Sequence, residues 1–217
     1  MTDLHLITGN RTTSSTSLVP WLLMKELQIP FHEIAIDLFR SDAVEKLGLY
    51  SPNLKVPVLI HEDIKVWDAL PVCEYISETL LENRGWPTHL KKRAAARSVC
   101  AELHGDYAHF RTEWPMTCHL TRDVEPDEQL EREIARLDAI MYCCRRRYGD
   151  GGNWLFGNFS IADAFMAPFA IALQNHGAEL TEKSREYMHT LLNNPHVIWW
   201  LDDAQQELDE VRFAMTG

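Results

Sequence analysis

The stretch "KVPVLIHEDIKVWDA", residues 55–69, decides how this chain is read. Val58 to Ile60 and Ile64 to Trp67 are two short apolar runs around the turn His61-Glu62-Asp63, the signal of a β-hairpin. Asp68 follows at once and suits the cap of a helix from Ala69 to about Leu81, in which Val72, Tyr75, Ile76 and Leu80 keep helical spacing. A hairpin that hands over directly to a capped helix is the closing half of a small α/β unit.

The opening half lies upstream. Leu4 to Thr8 reads as a strand, Ser17 to Leu27 as a helix with Pro20 in its first turn, and Phe31 to Asp37 as a second strand. Strand, helix and strand within so short a span predict a parallel pair with a right-handed crossover. With a short helix from Ser41 to Leu47, the order is β-α-β-α-β-β-α, and residues 1–82 form an α/β domain.

After "ENRGWPTHL" the character changes and no further strand is read. Val99, Leu103, Tyr107, Phe110 and Trp114 recur at three- and four-residue steps, predicting one long amphipathic helix from about Leu90 to Trp114. A second long helix carries the stripe Leu130, Ile134, Leu137, Met141, Cys144 and Tyr148. "SIADAF" starts another, with Ser160 as N-cap and Asp163 three residues on, the geometry of a capping box. Shorter helices near Thr181–Leu192 and Pro195–Leu208 complete an all-helical domain over residues 90–217, with Trp199-Trp200 as packing residues of the last one.

Composition narrows the function. A net charge of -11 argues against nucleic acid or an anionic membrane as partner. The basic runs Lys91-Lys92-Arg93 and Arg145-Arg146-Arg147 read as solvated helix faces. No run approaches the length of a spanning helix, and no basic segment leads into an apolar leader, so a cytoplasmic protein is expected. The five cysteines are odd in number and include no C-x-x-C pair, which suits reduced, packed thiols. Cys100 and His104 have i, i+4 ligand spacing but no matching second pair, so no metal site is expected.

One segment asks for more than packing. Thr12, Thr13, Ser14, Ser15, Thr16 and Ser17 sit together just ahead of an apolar helical run. Such hydroxyls cap helices, but a hydroxyl at a helix N-terminus also suits an anionic ligand.

The order β-α-β-α-β-β-α with "KVPVLI" before the hairpin resembles a thioredoxin-like domain, and the helical half with "GNFSIADAF" resembles the C-terminal domain of the cytosolic glutathione transferases. Within that superfamily "SSTSLVPWLL" resembles the serine-type classes, zeta-like or of a related bacterial group. The resemblance spans essentially the whole chain. It implies a cis bond at Val56-Pro57 that presents the Val56 backbone to the cysteinyl part of glutathione like an added strand. It implies that Asp68 and Ala69, at a helix N-terminus, meet the γ-glutamyl end, Asp68 facing the ammonium. Ser14 matches the hydroxyl that bonds the glutathione sulfur, with Ser15 as the neighbouring alternative, and Lys55 is placed to reach a glutathione carboxylate. His104, Arg111 and Trp114, beside the apolar face of the first long helix, are candidates for the electrophile pocket, against the alternative of a solvated helix rim.

The expected function is therefore a glutathione transferase, a cytoplasmic homodimer in detoxification, whose thiolate attacks a small hydrophobic electrophile. The chain departs from the family pattern at Ala69, where a serine is usual, and at Thr16, Val19, Thr117 and His119, which thin the polar lining near the substrate end. Ala69 keeps open a non-catalytic binding protein on the same fold; a glutathione-dependent isomerase of the maleylacetoacetate type is the third reading, and the thinned polar lining counts against it because its diacid substrate calls for cationic partners. Thiol-disulfide reduction is disfavoured because the Ser14 loop has no cysteine.

Overall fold

The computed structural model describes residues 4–118 and 124–216, with side chains described as far as Glu207. His119 lies outside the described residues. Strand β1 (Leu4–Thr8), helix α1 (Ser15–Glu26), β2 (His32–Ala35), α2 (Ala43–Tyr50), β3 (Val58–His61), β4 (Ile64–Trp67) and α3 (Ala69–Leu80) follow one another as the sequence predicts. The sheet order is β2-β1-β3-β4, with β1 and β2 parallel and the other neighbours antiparallel. The hairpin turn is tighter than the three residues expected, because His61 pairs with Ile64 and Glu62 takes a left-handed φ of 55°.

Alternation along β1 sorts the core. Leu4 and Leu6 join α1 and α3 on one face, whereas Ile7 meets Ile36, Leu47 and Val58 on the other. Helix α1 is buried continuously from Ser17 to Met24, because it is sandwiched between the sheet and α7 (Ile161–Asn175). Its first residue is Ser15, so Pro20 falls in the second turn and not the first. The helix tolerates it because the carbonyl left without a donor belongs to Thr16, at the exposed rim.

The helical region begins with α4 (Leu90–Gly105) and α5 (Ala108–Glu113), where the periodicity predicts one continuous helix. The break is stabilised at both ends. Tyr107 adopts a left-handed φ of 64° and its hydroxyl donates to Glu102 at 2.8 Å. The Phe110 N–H at the start of α5 donates to Glu133 of α6 (Glu128–Tyr148) at 2.7 Å. The Arg111 guanidinium turns back to cap the Leu103 and Asp106 carbonyls that end α4.

Helix α7 starts with the capping box at Ser160 and Asp163, and α8 (Glu182–Leu192) and α9 (Pro195–Thr216) follow, α9 running well past the predicted Leu208. The basic runs are not wholly solvated. Lys92 pairs with Asp150, Arg93 donates to the Pro87 and Thr88 carbonyls, and Arg145 donates to the Gly152 carbonyl, all fastening loops. Among the described residues no helix is long and apolar enough to cross a membrane.

Candidate active site

A cleft of about 740 Å³ opens between the sheet end of the α/β half and helices α4, α5 and α7. Its polar wall is made by Ser14, Ser15, Lys55, Val56, Asp68 and Ala69, and its apolar wall includes Phe110, Trp114, Phe165 and Phe169. Every candidate residue named from the sequence lines it except Pro57, which is buried behind Val56.

Ser14 occupies the N-cap position of α1, yet its hydroxyl makes no capping bond. It donates at 2.7 Å to the Ser17 Oγ, which also accepts the Gly9 N–H at 3.1 Å. Each hydroxyl has one rotatable proton and two lone pairs, so an acceptor in the cleft that draws the Ser14 proton off Ser17 lets Ser17 donate to Ser14 in return. The Ser14 N–H donates to the Asn10 carbonyl at 2.8 Å. Asn10 is itself fixed, accepting from the Leu38 N–H at 2.7 Å and donating to Asp37 at 3.1 Å. Ser15, half-buried, is the first residue of α1.

The Val56-Pro57 peptide is cis. The Val56 carbonyl, expected to stand open, accepts the Thr16 hydroxyl at 3.1 Å, which leaves one lone pair for a ligand. Lys55 is exposed beside it, and its own N–H and carbonyl are both held by the Ser51 hydroxyl, at 3.0 and 2.7 Å.

Asp68 has φ 78° and accepts the Ala69 N–H at 2.6 Å, so the first donor of α3 is satisfied within the chain. Its Oδ1 also lies 3.4 Å from the Nε2 of His104. His104 therefore faces the carboxylate that the family resemblance expects at the γ-glutamyl end, while its ring edge meets Phe165.

Arg111 and Trp114 line the cleft with their polar groups engaged elsewhere. Burial pushes the Arg111 pKa down, partly offset by Glu133 and Asp106, and its donors hold the backbone carbonyls described above. The Trp114 ring stacks on His176 at 4.9 Å, and its N–H donates to the Val124 carbonyl at 3.2 Å. Both stand on or beside α5, not on one helix with His104. Burial raises the Cys100 pKa well above its ordinary range and pushes Cys118 up to about 12, which disfavours the thiolate form of both. Among the described residues no group of three or more His, Cys, Asp or Glu side chains is placed to hold a metal ion.

Sequence reading misses the support beneath Ser14. The carboxylate of Glu207 accepts the Arg11 and Thr12 N–H groups, both at 3.1 Å, and the Trp200 indole N–H donates to the Arg11 carbonyl at 3.0 Å. The spacing of Trp200, Asp203 and Glu207 puts them on one face of α9, a signal that was present but did not say what the face meets.

Comparison with known proteins agrees with this geometry. Residues 13–79 match the family model of the glutathione S-transferase N-terminal domain. Glutathione S-transferase 1 of Dianthus caryophyllus is 26% identical over 164 residues, covering 71% of each protein. A diazinon-metabolizing glutathione S-transferase of the silkworm Bombyx mori superposes with a TM-score of 0.74 at 15% identity, covering 94% of this chain and 98% of its own. A glutathione transferase homologue from Burkholderia, solved with bound glutathione, superposes with a TM-score of 0.67 at 19% identity over 94% and 98%. The chain thus has the thioredoxin-like fold of the glutathione transferases followed by their helical region, and its residues 13–79 carry the sequence pattern of their N-terminal domain.

Proposed function

We propose that this protein is a serine-type glutathione transferase that ionises the glutathione thiol for attack on a small hydrophobic electrophile. The observation that carries the reading is the division of one cleft. A hydroxyl not spent on capping, an extended backbone edge at Val56 and the start of α3 share one wall, opposite an aromatic wall.

Glutathione fits the polar wall chemically. The tripeptide carries two carboxylates, one ammonium and a thiol. Lys55 and the N-termini of α1 and α3 favour the carboxylates, Asp68 favours the ammonium, and Val56 offers a strand-like partner to the cysteinyl backbone. The Val56 N–H makes no bond to another described backbone group. Asp68 already holds the Ala69 N–H, Pro71 has no N–H and the Val72 N–H donates to the Asp68 carbonyl, so the γ-glutamyl carboxylate is left to the Leu70 N–H and to solvent.

A thiol of pKa ~8.5 must fall by ~1.5 units to be mostly ionised at neutral pH, a preference of ~2 kcal/mol for the thiolate. One hydroxyl donated to a charged sulfur is worth about 1.5–3 kcal/mol, and the α1 dipole acts in the same direction. The thiolate then forms a C–S bond to the electrophile as the leaving group departs with the bonding pair. A homodimer in the cytoplasm completes the proposal, and the exposed Phe39, Val44 and Leu49 give such an assembly apolar surface to cover.

The test follows thiolate ultraviolet absorbance against pH in the presence of glutathione. Wild type is expected to show a bound thiol of lowered pKa, and Ser14→Ala to raise it by about 1–2 units. Ser15→Ala run alongside decides which hydroxyl faces the sulfur. Absence of binding at millimolar glutathione would refute the catalytic reading and favour a scaffold that has kept the fold.

A further inference from the structure

The Ser14 hydroxyl is useful only if its loop is held still, and the residues that hold it come from the far end of the chain. Three consecutive residues ahead of Ser14 are tied down, Asn10 through its side chain and Arg11 and Thr12 through their peptides. Asn10 is tied to the loop after β2, through Asp37 and Leu38. Arg11 and Thr12 are tied to α9, where one carboxylate, Glu207, accepts both of their N–H groups at 3.1 Å. Trp200 takes the other side of the same peptide, donating to the Arg11 carbonyl at 3.0 Å.

The Arg11 side chain repeats the attachment. Its guanidinium forms a two-pronged pair with Glu33 of β2 at 3.0 and 2.9 Å, reaches Asp203 of α9, and lies 4.7 and 4.9 Å from the Trp200 and Trp199 ring centres. Arg11 and Thr12 are 8% and 4% exposed, so their peptide groups have little water to turn to. A carboxylate that accepts two adjacent buried N–H groups fixes the plane of both peptides, and two neutral partners would do this less firmly. The Asn10 carbonyl that receives the Ser14 N–H belongs to the same peptide group as the Arg11 N–H that Glu207 holds.

We infer that Glu207 is a positioning residue for the Ser14 hydroxyl, holding through the Arg11 and Thr12 peptides the turn from which that hydroxyl is presented. Helix α9 is then part of the thiol-activating machinery without touching the thiol. The inference rests on the reading of Ser14 as the group that meets the glutathione sulfur. It adds that sulfur ionisation depends on an element about 190 residues away along the chain.

The test uses the full-length protein and glutathione itself. Glu207→Ala is expected to raise the pKa of the bound thiol by about one unit and to lower kcat with an activated aryl halide about tenfold. The KM for glutathione should move less than about twofold, because the residues that grip the tripeptide are elsewhere. Glu207→Gln keeps one acceptor oxygen for one of the two N–H groups, and is expected to fall between Ala and wild type.

A purely structural Glu207 would lower the melting temperature and leave the pKa of the bound thiol at the wild-type value; that result overturns the inference while leaving the transferase reading intact. Failure of the wild type itself to lower the thiol pKa overturns both. If Glu207→Ala does not fold, Trp200→Phe removes the shorter of the two bonds to the Arg11 carbonyl, that from the Cys118 Sγ at 3.6 Å being the other, while keeping an aromatic ring in the core. It must then shift the thiol in the same direction, and an unshifted thiol there overturns the inference equally.

Discussion

Truncating Asp163 to alanine isolates the strongest local determinant of the helical region. Its carboxylate is fully buried and accepts four bonds: from the Leu155 N–H at 2.9 Å, the Ser160 N–H at 2.9 Å, the Ser160 hydroxyl at 3.1 Å and the Tyr187 hydroxyl at 3.0 Å. Asp163→Ala strands four donors, on the three residues Leu155, Ser160 and Tyr187, that have no route to water without rearrangement. At about 1–3 kcal/mol for each stranded buried donor, with part recovered by a water entering the vacated space, the expected loss at pH 7 is about 4 kcal/mol. The loss should also depend on pH. Burial pushes the Asp163 pKa up from 3.8 to about 6, outweighing the four donors that pull it down. A carboxyl whose folded pKa is raised binds more protons in the native than in the unfolded state between these values. Its contribution is therefore fully present below pH ~4 and is lost as pH rises through ~6. Wild type should gain about 1 kcal/mol from this group between pH 7 and pH 5, and Asp163→Ala none. Urea unfolding of both proteins at pH 7, 6 and 5 reads the difference, in which the other titrating groups cancel. A gap that stays flat or narrows toward pH 5 refutes the reasoning, because it means the four donors keep the carboxylate ionised against its burial.

Two substitutions separate binding from support within the cleft. Asp68→Asn keeps an oxygen for the Ala69 N–H but removes the charge offered to the ammonium, so the KM for glutathione should rise about tenfold at an unchanged melting temperature; an unchanged KM places the ammonium elsewhere. Arg111→Ala uncaps the Leu103 and Asp106 carbonyls, so it should cost about 2 kcal/mol of stability in denaturant while the KM for the electrophile moves less than threefold; intact stability with a raised KM would instead make Arg111 a substrate contact.

What was legible in the sequence follows range of interaction. The hairpin at residues 58–67, the cap at Asp68 and the capping box at Ser160 depend on neighbours a few positions away, and each stands where the pattern puts it. The break between α4 and α5 does not announce itself, because Leu103, Tyr107, Phe110 and Trp114 keep their three- and four-residue steps straight through a left-handed Tyr107. Apolar spacing records which side chains are buried and carries no information on a single backbone reversal that Glu133 and Arg111 stabilise from outside. The candidate polar wall was legible through the family resemblance, whose motifs place Ser14, Val56 and Asp68 in order along one α/β pattern, and all three line the cleft. Arg11 and Glu207 were not, since their partnership spans nearly the whole chain and neither belongs to a motif.

The contact between α9 and α1 has an optical consequence. Trp21 stacks on Trp199 with ring centres 5.1 Å apart and meets Trp200 edge-on at the same separation. Indoles this close couple their electronic transitions, so the native protein should carry a signed circular-dichroism couplet that lapses when α9 leaves the first helix. The far end of the chain thus reports, without any label, whether the serine loop is clamped.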